Sequence, residues 1–592
     1  MAVEGFTLLF DLGLILLFAT LLNFIARILN QPPLLAYIAA GIIIGPFALG
    51  SLGINFFGIS FGVSTTEEIL LLSELGVAFL LFSVGVETDL RKMLEFGKIA
   101  ILGSIMQVAM TVATVFAFNY LWNFLSFEQA LYLGIIVAFS STTIVVKLLS
   151  DFREINTLHG RLMIGFLLVQ DILVILALPL LENVSNLFSV SLILPLILKV
   201  LAILLLAYAM SRYIYPKIFA FAVQSEELLF LSAMSSVFFF IFISSILGFS
   251  IAVGAFIAGV ALSTLPYNLE VLHKIRGVRD FLATIFFVTL GIQIAPSFVS
   301  FPLGLALIII LLVFFFKPLI YYAITSLSGY GGRVSLLVAL SLAQVSEFSF
   351  VIASQGRQIL EQTPGLYPFI ILIISLSMAL TPYFMGTSAP IYSFVNKKFL
   401  PLIRPLKESK LLHRRLSELE HLGQNISGHV VIIGAGTVGS SIAASIKEDY
   451  PVVVVDSDSE VVKYNIEHEI DAIYGSVDNP EVWMKVGIEK ARILVLAIPY
   501  AKPSIALIKY AKSINPKIVV FARAHHFKDT LSLYENGVDY VVMPQVVGSN
   551  LFIKKVAEFL QRGNIEEISN YRREFIDYLR EKVVEEERLR KM

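Results

Sequence analysis

Long apolar runs separated by short polar breaks set the rhythm of the chain as far as about residue 400. A helix needs about twenty apolar residues to cross roughly 30 Å of hydrocarbon. On that length thirteen spans are expected, starting near Phe6, Leu34, Glu67, Ile99, Glu128, Arg161, Val190, Glu226, Ser250, Val278, Pro302, Ser335 and Leu366. Near Pro401 the rhythm changes. Apolar runs shorten, as in His429-Val-Val-Ile-Ile433 and Pro451-Val-Val-Val-Val-Asp456, and alternate with stretches of helical period. The expected organisation is therefore a transmembrane all-α domain (1–400), a charged cytosolic linker (401–427), an α/β domain (428–565) and a charged C-terminal helix (566–592).

Composition agrees with a membrane protein. Of 592 residues, 57% are hydrophobic and 15% charged, and the mean hydropathy is +0.82. A net charge of −1 leaves no basic surplus for nucleic acid, and the absence of cysteine removes disulfides and thiolate chemistry. The N-terminus Met-Ala-Val-Glu-Gly lacks the basic region of a cleaved signal, so the first run is expected to stay as a span. Basic residues fall in alternate loops: Arg27; Arg91, Lys92 and Lys98; Arg153 and Arg161; Arg212 and Lys217; Lys274, Arg276 and Arg279; Arg333; Lys397 and Lys398. The loops between hold only Arg357, so the N-terminus is expected outside and the α/β domain in the cytoplasm.

The strongest departure from the apolar pattern is Gln170-Asp171, the only polar side chains from Leu162 to Leu181. A carboxylate near mid-span is a functional feature by default, because burying it is costly. An odd span count with similar motifs in each half suggests an inverted repeat of six spans, a linking span and six more. Corresponding segments then carry the polar residues: Ser140, Ser141, Thr142 and Thr143 in the fifth span, and Gln344, Ser346, Glu347 and Ser349 in the fifth span of the second half. Both read as broken helices at a midplane site. Lys317, deep in its span and followed by Pro318, is the expected counter-charge, with Asp171, Gln170 or Glu347 as its partner. Lys199 is also deep in its span and has no evident partner.

These segments resemble the cation/proton antiporter-2 family, and within it the Kef-type potassium/proton systems. The resemblance runs through Gln31 to Pro46, Glu74 to Glu87, Ser140 to Thr143, Gln170-Asp171, Leu247 to Gly259, Phe286 to Gly291 and Gln344 to Phe348. It implies a sodium/proton-antiporter-like fold of thirteen spans, a homodimer, and crossing broken helices in the fifth and twelfth spans. It further implies a core domain that moves against a dimerisation domain. Asp171 matches the carboxylate that binds a proton and a cation in turn, Lys317 the membrane lysine, and Glu347 the acid of the second broken helix. Gln-Asp rather than two acids goes with electroneutral exchange, often of K⁺. Physics supports the first of these roles: one buried carboxyl that holds either H⁺ or a monovalent cation gives one-for-one exchange. The expectation is K⁺/H⁺ antiport at the cell (plasma) membrane, with Na⁺/H⁺ antiport or ligand-gated, channel-like K⁺ efflux as alternatives.

In the soluble part, Gly434-Ala-Gly-Thr-Val-Gly439 lies between a strand and a helix, and Asp456 ends the next strand. In that context the fingerprint points to a dinucleotide-type fold, with pyrophosphate at the helix N-terminus and Asp456 on a ribose hydroxyl. Further strands are expected near Ile470, Ile493, Ile518 and Tyr540. The stretch is similar to an RCK (KTN) domain, a Rossmann-like nucleotide-sensing module, on the fingerprint, Asp456-Ser-Asp458, Tyr474 to Pro480, Val486 to Ala491 and Asp539 to Pro544. The resemblance implies NAD(H) or an adenine nucleotide (AMP or ATP) as regulatory ligand. Its contacts would be Gly434, Gly436, Thr437, Val438, Gly439, Asp456, Ser457 and Asp458, with Asp478 and Arg523 as further contacts.

Two features depart from the Kef pattern. Thr437 stands where Arg is frequent, and the region corresponding to an acidic gating loop reads Asn268-Leu-Glu-Val-Leu-His-Lys-Ile-Arg276, which is basic; glutathione gating is not expected. Two rival classes are disfavoured. An oxidoreductase would need a catalytic constellation and a substrate domain, and His525-His526 reads as a surface turn. Gly329-Tyr-Gly331 lacks the preceding Thr-Val and pore helix of a potassium filter and reads as a turn.

Overall fold

The computed structural model describes the chain apart from residues 1, 30, 53–54, 57–58, 61, 64–65, 88–96, 153, 156, 182–189, 295–300, 388–390, 393–418, 423–425, 478–479, 499–500, 563–571, 573–575 and 577–592. The chain divides into two compact units, Met1–Arg415 and Leu416–Met592. Several expectations fall outside the described residues: the loop charges Arg91, Lys92, Arg153, Lys397 and Lys398, most of the linker and most of the C-terminal helix.

The first unit is helical. Its helices are α1 (Ala2–Ile28), α2 (Pro33–Ile44), α3 (Glu67–Glu87), α4 (Gly97–Trp122), α5 (Phe127–Ala138), α6 (Thr142–Asp151), α7 (Leu158–Leu181), α8 (Val190–Ala209) and α9 (Tyr215–Ala222). They continue with α10 (Glu226–Leu247), α11 (Ile251–Ser263), α12 (Asn268–Ile292), α13 (Leu303–Leu311), α14 (Lys317–Leu327), α15 (Gly331–Ser341), α16 (Phe348–Gln355), α17 (Arg357–Leu360) and α18 (Leu366–Gly386). A short antiparallel hairpin, β1 (Asn55–Phe56) with β2 (Ile59–Ser60), lies between α2 and α3; nothing in the apolar pattern announces it.

All thirteen expected starts fall in or beside a helix, but only ten stretches among the described residues are long and apolar enough to cross a bilayer. The other three fall short for separate reasons. Ile251–Ser263 has 13 residues, Asn268–Ile292 carries Glu270, Lys274, Arg276, Arg279 and Asp280 in its first half, and the span from Gly331 is broken into α15 and α16. The stretch Asn268 to Arg276 is thus the beginning of a helix, and Lys274 pairs there with Glu226 of α10 at 2.5 Å.

Two further irregularities share a cause. π-helical turns at Met210–Ile214 and Leu312–Phe316 sit directly before Tyr215-Pro216 and Lys317-Pro318. Proline has no N–H and its ring clashes with the carbonyl four residues back, so a widened turn absorbs it without ending the helix.

Glycines set the packing of α2 and α3 against α11 and α12. A Cβ on Gly41 would lie 2.0 Å from Val288 O, and one on Gly291 would lie 2.1 Å from Ile38 O. Gly85 and Gly259 meet in the same way across α3 and α11, with a Cβ on Gly259 falling 2.3 Å from Phe82 O. Close backbone approach of this kind is how membrane helices gain contact where lipid offers no hydrophobic drive. It explains the small residues spaced along Gln31 to Pro46, Glu74 to Glu87 and Leu247 to Gly259.

The second unit is a seven-stranded sheet in the order β3 (Glu420–His421), β6 (Asp471–Tyr474), β5 (Val452–Asp456), β4 (Val430–Ile433), β7 (Ile493–Leu496), β8 (Val519–Arg523), β9 (Tyr540–Val542). Every pairing is parallel except that of β3 with β6, in register Glu420 with Ile473. Strands β4 and β5 are buried along almost their whole length, as a sheet covered on both faces requires. The helices are α19 (Thr437–Ile446), α20 (Ser459–Glu467), α21 (Pro480–Lys485), α22 (Ala501–Ile514), α23 (Phe527–Glu535) and α24 (Pro544–Arg562). Chain order reverses on either side of β4, which puts the topological switch point at the carboxyl ends of β4 and β7.

Candidate functional site

The expected breaks are present and they touch. Helix α5 stops at Ala138, and Phe139 (ψ 149°) leaves the helical path before Ser141 caps α6 by accepting from Ile144 N–H. Helix α15 stops at Ser341, and the chain resumes as α16 at Phe348. Between the breaks, Ser346 N–H donates to Phe139 O at 3.1 Å, Gln344 Nε2 to Ser141 O at 3.2 Å, and Ser140 Oγ to Leu342 O at 2.8 Å. Each broken segment thus satisfies backbone groups that the other leaves open, which is what allows irregular backbone at membrane depth.

The two acids lie against this crossing. Asp171 on α7 is 8% exposed and accepts from Thr142 Oγ1 at 2.9 Å through Oδ2; among the described residues no hydrogen bond reaches Oδ1. Glu347, also 8% exposed, accepts from Ser141 Oγ at 3.0 Å and Thr143 Oγ1 at 2.7 Å. Consecutive hydroxyls of one helix start therefore serve two carboxylates.

Lys317 does not take the partner expected of it. Its ammonium is fully buried and donates to the carbonyls of Phe139 at 2.7 Å and Gln344 at 2.5 Å, one from each break. Broken helix ends expose carbonyls with partial negative charge, and a cation satisfies them as it would a helix C-terminus. Among the described residues Lys317 forms no ion pair with Asp171 or Glu347. Lys199 is exposed on the side of α8 and takes no place in the cluster.

Apart from Lys199, the membrane residues singled out from sequence gather here, Ser346 and Ser349 included through Phe139 O and Ile136 O, and the structure adds others. Gln170 contacts Gln107 of α4 and Tyr321 of α14, while Gln344 Oε1 accepts from Thr381 Oγ1 of α18 at 2.8 Å. Gln107 had a visible signal, a long polar side chain inside an apolar span, and Tyr321 lies one turn from Lys317. The turn reading of Gly329-Tyr330-Gly331 also holds, with positive φ at Gly329 after α14 and at Gly331 where α15 begins.

In the α/β unit the fingerprint residues converge at the switch point. Gly434 (φ +91°) needs the left-handed region, and a Cβ on Gly439 would sit 1.9 Å from Gly434 O, so only glycine lets α19 approach β4. Gly436 is the N-cap of α19 and has no atom within 4 Å of where its Cβ would be, so the start of the helix is open there, with Thr437 and Val438 exposed on its first turn. Asp456 closes the loop: Oδ2 accepts from Ala435 N–H at 2.6 Å and Oδ1 from Asp458 N–H at 2.8 Å. Burial pushes its carboxyl above the ordinary aspartate range, and those backbone donors work in the opposite direction. Asp456 thus first shapes the loop, with lone pairs left for a ribose hydroxyl. Ser457 and Asp458 follow beside it, Asp458 capping α20 through Glu460 N–H at 3.0 Å. Arg523 stands apart, two strands from β4 at the end of β8, with its Nε buried and unpaired among the described residues. Asp478 lies outside the described residues.

Crossed broken helices around buried carboxylates, in one chain with a doubly wound nucleotide fold, define a cation/proton antiporter with a cytoplasmic regulatory domain. The chain belongs to the sodium/hydrogen exchanger family, whose transmembrane model matches residues 13–386, and a TrkA-N domain matches 430–544. It is similar to the putative cation/proton antiporter YbaL of Escherichia coli K12, 28% identical over 90% of this chain and 93% of that protein. It is also similar to K(+) efflux antiporter 2, chloroplastic, of Arabidopsis thaliana, 28% identical over 87% of this chain and 43% of that protein, which is therefore much longer. Among solved structures, the crystal structure of the TrkA-N domain of inner membrane protein ybaL from Escherichia coli is 27% identical, with TM-score 0.22, over 22% of this chain and 97% of that one.

Proposed function

We propose that the protein exchanges K⁺ for H⁺ one for one at Asp171, with Na⁺ as the alternative cation. One observation carries this reading: Lys317, the expected counter-charge, is held by Phe139 and Gln344 carbonyls, which leaves the charge of Asp171 to a proton or a transported ion. A proton and a monovalent cation compete for one carboxyl, and neither is released uphill without the other being taken. The oxygen-rich surroundings, Thr142 beside Asp171 and Ser141 and Thr143 beside Glu347, suit a partly dehydrated hard cation. Potassium is favoured over sodium by the K(+) efflux antiporter names of several relatives.

The regulatory ligand is NAD(H) or an adenine nucleotide such as AMP or ATP, bound at Gly434, Gly436, Thr437, Val438, Gly439, Asp456, Ser457 and Asp458, with Asp478 and Arg523 as outer contacts. It acts by biasing the transport domain between conformations for which it has unequal affinity. The working form is a homodimer in the plasma membrane. Supporting this, α24 carries apolar side chains that are exposed among the described residues, Phe552 72% and Leu560 78%, of the kind a second copy would bury.

The experiment is proton flux in proteoliposomes loaded with a pH dye, on adding K⁺, Na⁺ or Li⁺, with the membrane potential clamped or free. Cation-specific flux that ignores the potential and disappears in Asp171→Asn is expected. Cation movement that follows voltage without protons would overturn the exchange reading in favour of a channel-like pathway.

A further inference from the structure

Two glutamines bridge the break between α5 and α6. Gln107 on α4 and Gln170 on α7 are both 0% exposed. Gln107 Nε2 donates to the carbonyl of Ala138, the last residue of α5, at 3.0 Å, and to Thr111 Oγ1 at 3.0 Å. Gln107 Oε1 accepts from Gln170 Nε2 at 2.6 Å, and Gln170 Oε1 accepts from the backbone N–H of Ser140 at 3.1 Å. The relay therefore runs from a carbonyl on one side of the break to an N–H on the other. A carbonyl only accepts and an N–H only donates, so flipping either amide would set like against like. The second N–H of Gln170 goes to Tyr321 OH at 2.5 Å. Because Ser140 Oγ gives its proton to Leu342 O, the hydroxyl of Tyr321 donates to Ser140 Oγ at 3.3 Å.

We infer that Gln107 and Gln170 form a neutral amide relay that positions the broken helix for exchange and excludes a second negative charge beside Asp171. The relay fixes Ser140, and the next residues carry the hydroxyls on Asp171 and Glu347. Among the described residues Gln107 hydrogen-bonds to neither carboxylate; it is a positioning residue acting through Gln170. Both N–H groups of Gln170 and its Oε1 are engaged within the protein, with Gln107, Tyr321 and Ser140, so its amide is held in place by the break. The inference rests on Asp171 as the exchange site. It makes the transported charge a property of α4 as well as of α7.

A carboxyl fits the relay only with its proton on. Protonated, it keeps one donor and one acceptor; ionised at position 107 it faces the Ala138 carbonyl, and ionised at 170 it faces Gln107 Oε1. The titratable groups in this layer, on the helices packed against α4, are Asp171 on α7 and Lys317 and Tyr321 on α14. Glu128 lies in the first turn of α5 and His159 and Arg161 in the first turn of α7, at the far ends of those helices, while Tyr132 is tied to Leu181 O and Tyr322 to Ser326.

The test is K⁺-driven proton flux of the full-length protein in proteoliposomes from about pH 6 to about pH 8.5, with the potential clamped or free. Gln107→Glu and Gln170→Glu are expected to keep flux at the acid end and to lose about tenfold per pH unit once the introduced carboxyl ionises, staying indifferent to the potential throughout. A residue that merely fills space would be replaced by its isostere without a change in pH profile, so a wild-type profile in Gln107→Glu overturns the relay. Flux through Gln170→Glu that persists at high pH and follows the potential overturns it as well. Should the glutamate variants not fold, Gln107→Met and Tyr321→Phe carry the test, with a raised cation KM expected at near-normal maximal flux and an unchanged KM in both overturning the proposal. Failure of the exchange-site reading shows separately, as flux that survives in Asp171→Asn.

Discussion

Lys317 Nζ lies 2.7 Å from the carbonyl oxygen of Phe139, so the buried ammonium is tied to a broken helix end and not to an acid. The same group reaches Gln344 O in the second break, and one side chain thereby pins both. Lys317→Ala would leave the buried Gln344 carbonyl without a donor and Phe139 O with only Ser346 N–H, a loss on the order of 2 kcal/mol. A marked fall in thermal stability is expected, together with weak flux that is still cation-dependent and still indifferent to membrane potential. A change in charge stoichiometry in that variant would instead make Lys317 a titrating partner of Asp171.

Thr142 gives Asp171 its hydrogen bond at 2.9 Å, and hydrogen bonds to charged groups are worth about 1.5–3 kcal/mol. Thr142→Val keeps the shape of the side chain and removes that donor. An apparent cation affinity lower by about tenfold or more is expected, since about 1.4 kcal/mol corresponds to tenfold. Thr142→Ser should restore most of it. Cation titrations of proton flux check both, and equal KM values in wild type and Thr142→Val would remove Thr142 from the site.

What the sequence made visible follows from what burial costs. Asp171, Glu347 and the Ser140–Thr143 run stand out because polar groups in hydrocarbon need a reason, and the glycine fingerprint stands out because positions 434 and 439 admit nothing larger. The partner of Lys317 was hidden, because every residue has a carbonyl and only a break in the third dimension exposes one. The relay through Gln107 was hidden for a related reason: Gln107 and Gln170 are 63 positions apart, and neither alone says what it faces. Strand β3 fell within the stretch expected as linker, since two residues paired at a sheet edge leave no periodicity to read.

Position 436 separates binding from folding. A Cβ there meets nothing within 4 Å, whereas one at 439 collides with Gly434 O at 1.9 Å. Gly436→Asp is therefore expected to leave the thermal stability of the protein nearly unchanged while its side chain and charge obstruct an anion at the start of α19. Gly439→Ala should destabilise the α/β domain itself. Thermal unfolding with and without NAD(H), AMP or ATP distinguishes the two: Gly436→Asp loses the ligand-induced shift, Gly439→Ala lowers the midpoint. Transport by Gly436→Asp that still responds normally to nucleotide would break the link between the domain and the carrier.

His429 places a pH response in the same domain. Its Nε2–H donates to Val486 O at 2.7 Å, its Nδ1 is buried with no partner among the described residues, and burial pulls the imidazole below its ordinary range. Protonation would create an N–H with no acceptor in the interior. The native state thus binds this proton less readily than the unfolded chain does, so the stability the neutral ring contributes is present above the unfolded value near 6.5 and is lost as pH falls below it. The unfolding midpoint of the α/β domain should drop between about pH 7.5 and about pH 5.5, by up to about 1.4 kcal/mol per pH unit from this group. His429→Gln, which has no proton to gain, should flatten that slope even if it lowers stability overall, and an unchanged slope would move the response to another group.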